Sequence, residues 1–294
     1  MEKGAYIIGA HRYQAASLEP ALYLVSTPIG NLGDITLRAI ETLANADIIA
    51  CEDTRVTRVL LNRFGISCPL VTYQEHNAVT AGLELIAALQ KGKSVALVSD
   101  AGTPLLSDPG FKLVEEAHST GITVVPIPGA SAALAALVAS GLPTDAFFFF
   151  GFLPAKSGQR KSKLEDLKTQ QGTLIFYEAP HRAAETLIDM ADVYGRDRKA
   201  VLAREITKKF ETIDRGTLGE LADKYSTMER IRGEIVILLA PFERDNLALK
   251  DGDIDSLLLE LSATMPAAKA AGEAAQMTGL KKKNLYQRLL ALKA

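Results

Sequence analysis

Between Ser99 and Gly110 the chain reads SDAGTPLLSDPG, two carboxylates among glycines and prolines directly after an apolar run. Asp100, at the end of that run, can accept hydrogen bonds from hydroxyls or face a cationic group. Gly102 lacks a Cβ, so a ligand can approach the backbone closely. Thr103-Pro104 sets an extended or turned path. Asp108 before Pro109 suits the N-cap of a following helix, so the stretch also fits a tight turn with a capping acid.

Other short loops share this character. STPIGNLGD (26–34) holds two glycines but neither a GxGxxG nor a GxxxxGK[ST] pattern, and no lysine stands ready for a triphosphate. A dinucleotide or P-loop site is therefore unsupported. EDTR (52–55) follows another apolar run, and PGASAALAAL (128–137) opens a helix of small residues against which another surface can lie. Acidic loops without a phosphate grip suit a nucleoside-bearing ligand with a cationic centre, and S-adenosylmethionine fits that description.

The elements behind these loops alternate. Apolar runs at 21–26, 47–52, 69–73, 94–99 and 122–127 read as strands. Helical patterns at 36–45, 54–64, 78–90, 109–120 and 130–141 separate them. Continuous apolar strands alternating with helices predict a mostly parallel sheet covered on both faces, with ligands beyond the strands' carboxyl ends. A second segment begins near DAFFFFGFLP (145–154), whose four phenylalanines read as a buried strand. A polar loop entering a helix follows, then strands at 173–178, 200–205, 211–217 and 234–240, with helices at 181–194 and 218–226. This half predicts a mixed sheet. The expected organisation is a flexible extension (1–20), an N-terminal α/β domain (21–145), a C-terminal α/β domain (146–243), a linker (241–253) and a basic helical tail (254–294) broken at 278–280.

The 294 residues and 48% hydrophobic content allow two domains with real cores. Net charge is −2, yet residues 265–294 carry six Lys and Arg against one acid, which suggests a polyanionic partner touched at one end. Cys51 and Cys68 form no metal-ligand spacing and read as reduced thiols of a cytoplasmic protein. No run approaches the ~20 apolar residues of a membrane span, and the first twenty residues lack the pattern of a signal peptide.

LYLVSTPIGNLGDITLRAIETLANADIIACEDTR, ALVSDAGTPLLSDPG and VVPIPGASAALAALVASGLPTDAFFFFGFLP resemble the signature segments of the tetrapyrrole methylase superfamily, over about residues 21–240. The loop Ser99-Asp100-Ala101-Gly102-Thr103-Pro104, where the wider superfamily reads more like GDP, resembles the ribosomal RNA branch. The resemblance implies two α/β domains of the tetrapyrrole methylase type with the cofactor cleft between them. It also implies S-adenosylmethionine-dependent methylation of the 2′-hydroxyl of a decoding-centre cytidine, cytidine 1402 of 16S rRNA within the 30S subunit, by an enzyme that is commonly a homodimer. By the same resemblance Pro28, Ile29, Asp100, Ala101, Gly102, Thr103, Ala130 and Ser131 would meet the cofactor from the first domain. Tyr177, Glu178, Ala179, Pro180, Ile206, Gly233 and Glu234 would do so from the second.

A ribose hydroxyl is a poor nucleophile at neutral pH, so a general base or a cation that stabilises alkoxide would assist the transfer. Glu52, Asp53, Arg55, Glu178, His181 and Arg182 are the candidates. Each has another use: Asp53 suits the N-cap of the helix from residue 54, and His181-Arg182 can simply open a helix. His76 equally fits a turn, and His118 a helix surface. No spacing resembles a Mg²⁺ or Zn²⁺ site. Lys156, Arg160, Lys161 and Lys163 form a basic loop, and Lys281, Lys282 and Lys283 begin the last helix of a helix-turn-helix-like tail. Both are candidate RNA contacts, although the tail also fits a solvated charged helix. A small-molecule methyltransferase of the tetrapyrrole or diphthamide type is the alternative, and a non-enzymatic RNA-binding module a third; the basic tail disfavours the second.

Overall fold

The structure is a computed structural model that describes residues 3–242, 251–278 and 280–293. It divides into two compact units, Met1–Ala240 and Pro241–Ala294.

The first unit opens with a hairpin, β1 (Ala5–Ile8) and β2 (His11–Gln14). This corrects the expected flexible extension. Tyr6 is buried and stacks on Tyr13, its hydroxyl donates to Glu41, and the Gly4 amide donates to the Ala44 carbonyl. Next come β3 (Leu22–Val25), α1 (Leu37–Asn45), β4 (Ile48–Cys51), α2 (Thr54–Arg63) and β5 (Leu70–Thr72). The alternation continues through α3 (Ala78–Gln90), β6 (Val95–Val98), α4 (Phe111–Ser119), β7 (Val124–Ile127) and α5 (Ala132–Ser140). The five strands β3–β7 make one parallel sheet in the order β5-β4-β6-β3-β7. Every residue of the central β6 is buried, as a strand covered on both faces requires.

The second sheet follows: β8 (Phe147–Phe152), α6 (Ser157–Asp166), β9 (Thr173–Glu178), α7 (Ala183–Tyr194), β10 (Lys199–Arg204), β11 (Thr212–Thr217), α8 (Leu218–Ser226) and β12 (Ile235–Leu239). Its order is β11-β10-β12-β9-β8; only β8–β9 is parallel. The phenylalanine strand lies at this sheet's edge, not in a core: Phe147, Phe148 and Phe152 are exposed. α6, α7 and α8 cover one face of the sheet. The other face is covered by α5, whose Ala133, Ala136 and Leu137 pack on Ile175, Val201, Ala203 and Val236. Alanines let this helix lie close to a sheet that begins after it in the chain.

The second unit packs α9 (Asp251–Thr264), α10 (Ala267–Thr278) and α11 (Lys282–Leu292) around Leu258, Ala270, Ala274, Leu285 and Leu289. The segment read as a linker lies largely outside the described residues, and α9 begins at Asp251 within it. No helix among the described residues is long and apolar enough to cross a membrane.

Candidate active site

The loops at the carboxyl end of the first sheet are tied to one another. The Thr27 amide donates to the Gly102 carbonyl at 2.8 Å, and the Gly102 amide returns a bond to Thr27 at 3.1 Å. The Thr27 hydroxyl donates to the Ser99 carbonyl, and the Thr103 hydroxyl donates to the Ala130 carbonyl, each at 3.1 Å. Gly102 sits at φ +85°, and a Cβ there would lie 3.2 Å from Ile29 Cγ2. Leu105 and Ser107 adopt φ +72° and +66°, conformations that cost non-glycine residues energy and that concentrate at functional sites. The loop is therefore held in a strained shape by its neighbours.

A cavity of about 400 Å³ opens beside it, within the usual range for small-molecule sites. Ile29, Asp100, Ala101, Gly102, Thr103 and Ser131 line it from the first sheet's loops; Tyr177, Glu178, Ala179, Pro180 and Glu234 line it from the second sheet. Other expected residues stand elsewhere. Pro28 lines a separate cavity of about 320 Å³ with Val56 and Leu60, and Asp100 is shared by both. Ile206 is buried beside Ile29, and Gly233, at φ +91°, lets the Glu205 side chain pass where a Cβ would stand. Ala130 accepts the Thr103 hydroxyl through its carbonyl, and the Ser131 side chain caps α5. These residues shape the walls rather than line the space, apart from Ser131, which does both.

Lys208 braces the two sets of loops. Its side chain lies over Gly30, and its ammonium pairs with Glu205 at 2.8 Å and Glu234 at 3.2 Å.

The candidate acids and bases differ sharply in what remains free. Glu178 is buried. It accepts from Arg182 Nε at 2.9 Å, from the Thr186 hydroxyl at 2.6 Å and from the Ala179 amide at 2.7 Å. Its lone pairs are used by the fold. Asp53 caps α2 and grips Arg55, which holds its carboxyl down to about 2. Arg55 otherwise points to solvent, its side chain 89% exposed. His181 is exposed in a 3-10 turn, His76 in another, and His118 on α4.

Asp108 does not cap the next helix, as the sequence suggested. Gly110 occupies that position, and α4 starts at Phe111. Asp108 instead faces the cavity, where burial, and after it the charges of Glu52 and Asp100, push its carboxyl up to about 6. Glu52 is raised by burial first and then by Asp100 and Asp53. Asp108 and Ser107 also line a neighbouring cavity of about 490 Å³ that includes Glu52, Glu75 and Lys112. Asp108 thus stands at the wall between two cavities. Leu106, Ser107, Asp108, Phe152 and Val236 were not expected at the site. Only the capping pattern at Asp108 drew notice to any of them, and it pointed to the wrong role.

The basic loop also reads differently. Arg160 is 1% exposed and pairs with Asp189 at 2.6 Å, while Lys161 pairs with Asp192 at 2.7 Å. Their chains anchor α6 to α7, and Lys156 and Lys163 alone of the four stay exposed without an ion pair among the described residues. Lys281, Lys282 and Lys283 are exposed at the start of α11. No group of three His, Cys, Asp or Glu among the described residues could hold a metal ion.

The fold sets a parallel sheet and a mixed sheet in one unit, with a cavity lined by loops of both. Cobalt precorrin-4 methyltransferase superposes with a TM-score of 0.58 at 18% identity, over 75% of this chain and 95% of that one. Diphthine synthase gives 0.56 at 16%, over 74% and 89%. Uroporphyrin-III C-methyltransferase from Thermus thermophilus, complexed with S-adenosylhomocysteine, gives 0.52 at 20%, over 74% and 96%. These likenesses show the fold. The chain belongs to the tetrapyrrole (corrin/porphyrin) methylases, whose family model matches residues 21–222, and residues 248–293 match the RsmI C-terminal HTH domain. It is 61% identical to the ribosomal RNA small subunit methyltransferase I of Mesorhizobium japonicum, over 98% of this chain and 97% of that one. The same-named protein of Pseudomonas aeruginosa is 49% identical, over 92% and 96%.

Proposed function

We propose that this protein transfers the methyl group of S-adenosylmethionine to the ribose 2′-hydroxyl of a decoding-centre cytidine in 16S rRNA, within the 30S subunit. The full-length similarity to small subunit rRNA methyltransferases, covering the helical unit as well as both sheets, carries this reading. The cavity chemistry supports it. A sulfonium is cationic, and Asp100, Asp108 and Glu178 line a mostly apolar space without a phosphate-binding lysine.

In this reading the donor occupies the cavity between the sheets and the ribose approaches from the neighbouring one, past Asp108. The methyl moves in line from sulfur to oxygen, the sulfur keeps the bonding pair, and the hydroxyl proton leaves to a base. Asp108, deprotonated above about 6, is the carboxylate in place to take it. Holding donor and acceptor in one geometry supplies much of the remaining rate. The exposed phenylalanines of β8, an edge strand, support a homodimer, because such apolar surface is ordinarily covered.

The test is to offer methyl-labelled S-adenosylmethionine with undermethylated small subunits or with uroporphyrinogen. Label on a ribose oxygen of 16S rRNA is expected. Label in the porphyrin, and none in RNA, overturns the reading.

A further inference from the structure

The donor cavity is lined by acids, and the whole chain carries a net charge of −2, so a polyanionic substrate must be held by local cations. Two of the four cations expected to serve on α6 are consumed by ion pairs. A different cationic surface lies at the end of the second sheet.

Arg204, Lys224, Arg230 and Arg232 surround a cavity of about 390 Å³, together with Thr212, Asp214 and Met228. Asp214, the single carboxylate there, is already engaged by Lys224 at 2.7 Å and by the Tyr225 hydroxyl at 2.6 Å. Arg204 donates to the Thr212 hydroxyl at 3.2 Å and to the Arg232 carbonyl at 3.3 Å, and its charge also acts on the Asp214 and Glu205 carboxylates without a direct ion pair. Arg230 and Arg232 are exposed and have no carboxylate partner among the described residues. Four cations therefore share one cavity with a single carboxylate, a net excess of positive charge.

The β10–β11 turn leaves from Arg204 and returns at Thr212, both in the wall of this cavity. Glu205 and Thr207 hold φ +53° and +67°, and Glu211 accepts from the Thr207 amide at 2.6 Å across the turn. It presents Phe210 to solvent at 66% exposure, with the Lys209 ammonium 5.6 Å from the ring centre. Arg204 pairs in register with both Thr212 and Ile235, and Ile235 lines the donor cavity. The arginine cavity is thus within about two strand spacings, ~10 Å, of the donor site. It lies on the α8 face, and the turn that carries Phe210 springs from the same end of the sheet.

We infer that this sheet end is a single-stranded RNA track, in which Phe210 stacks a base next to the methylated nucleotide while Arg204, Arg230 and Arg232 hold the flanking phosphates. An exposed aromatic ring beside cations is the arrangement that grips unpaired nucleotides, and guanidiniums match phosphate geometry. The inference rests on the rRNA reading and names the surface that reading requires.

The test measures binding of labelled, undermethylated small subunits to the full chain over a range of salt, and separately single-turnover methyl transfer and S-adenosylmethionine affinity. Arg230→Ala with Arg232→Ala should reduce the magnitude of the log–log salt slope by about 1.4, at ~0.7 for each single-strand phosphate contact. Phe210→Ala should weaken subunit binding by roughly 5- to 100-fold, and Phe210→Tyr should restore it. Cofactor affinity and melting temperature should stay at wild-type values in all three. Wild-type binding and salt slope in the arginine and alanine variants would overturn the inference while leaving methyl transfer intact. Wild-type protein that binds subunits by this surface without methylating them would instead tell against the methyl-transfer reading alone.

Discussion

The two walls of the cavity lined by both sheets' loops carry similar residues and spend them differently. On the second sheet's side Glu178 is fully partnered by Arg182, Thr186 and a backbone amide. On the first sheet's side Asp108 sits among other acids, Glu52 and Asp100, with its carboxyl pushed up to about 6. A buried carboxylate with every lone pair engaged holds structure together. One that is half-buried among like charges binds a proton more readily and so is the better base once it is lost. The lesson is that an acid's partners, more than its presence in a cavity, separate scaffold from chemistry.

Substitutions can break this contrast. Asp108→Asn should lower single-turnover methyl transfer by about 10²–10⁴-fold, the usual contribution of a general base. In the wild type that rate should climb with pH up to about 6 and then level, because the carboxylate is the active form. In the variant the climb should vanish. Glu52 and Tyr177 face the same region and are both raised by burial, so a residual limb at another pH would point to one of them. Glu178→Ala should instead cost about 3–5 kcal/mol in urea unfolding, since it strands the Arg182 guanidinium. A stable Glu178→Ala protein with abolished transfer would reverse the two roles.

Gly102→Ala probes how firmly the first wall is built. The position has φ +85° and a close neighbour in Ile29, and the change should cost about 1–3 kcal/mol in the same assay. The smallest effect concerns Asp108 and stability. Its folded pKa is raised from 3.8 to about 6, so the folded state binds the proton more tightly than the unfolded chain. Stability should fall as pH rises from about 4 to 6 and remain lowered at pH 7. Asp108→Asn should recover roughly 1 kcal/mol at pH 7, a figure discounted for solvent screening. Thus one substitution should cost activity and add stability.

Much of this arrangement was legible in the sequence. The five apolar runs from Leu22 to Ile127 each became a strand within one or two residues, because continuous burial leaves an unbroken apolar signal. The alanine-rich start of α5 correctly announced close packing against another surface. The hairpin at Ala5–Gln14 escaped notice because β2, HRYQ, is exposed throughout and carries no apolar run, and the Tyr6–Tyr13 stack exists only once the strands pair. The four phenylalanines misled because apolarity does not distinguish a core strand from an exposed edge. Asp108 misled because Asp-Pro-Gly reads as a cap, and no local rule shows that Gly110 starts the helix or that Glu52 stands nearby. The arginine cavity draws on residues 204, 224, 230 and 232, brought together by β10, α8 and the segment after α8. No spacing in the sequence joins them.

The acidic wall is central to this account, and calorimetry with Asp100→Asn tests it most directly. Asparagine keeps an oxygen for the Asp53 amide that Asp100 now accepts at 3.0 Å, and removes only the charge. S-adenosylmethionine should bind the variant about 10- to 100-fold more weakly, the worth of a hydrogen bond or contact to a charged group. S-adenosylhomocysteine, which lacks the sulfonium charge, should lose far less. Equal losses for the two ligands, or none for either, would contradict the assignment of this wall to a cationic donor.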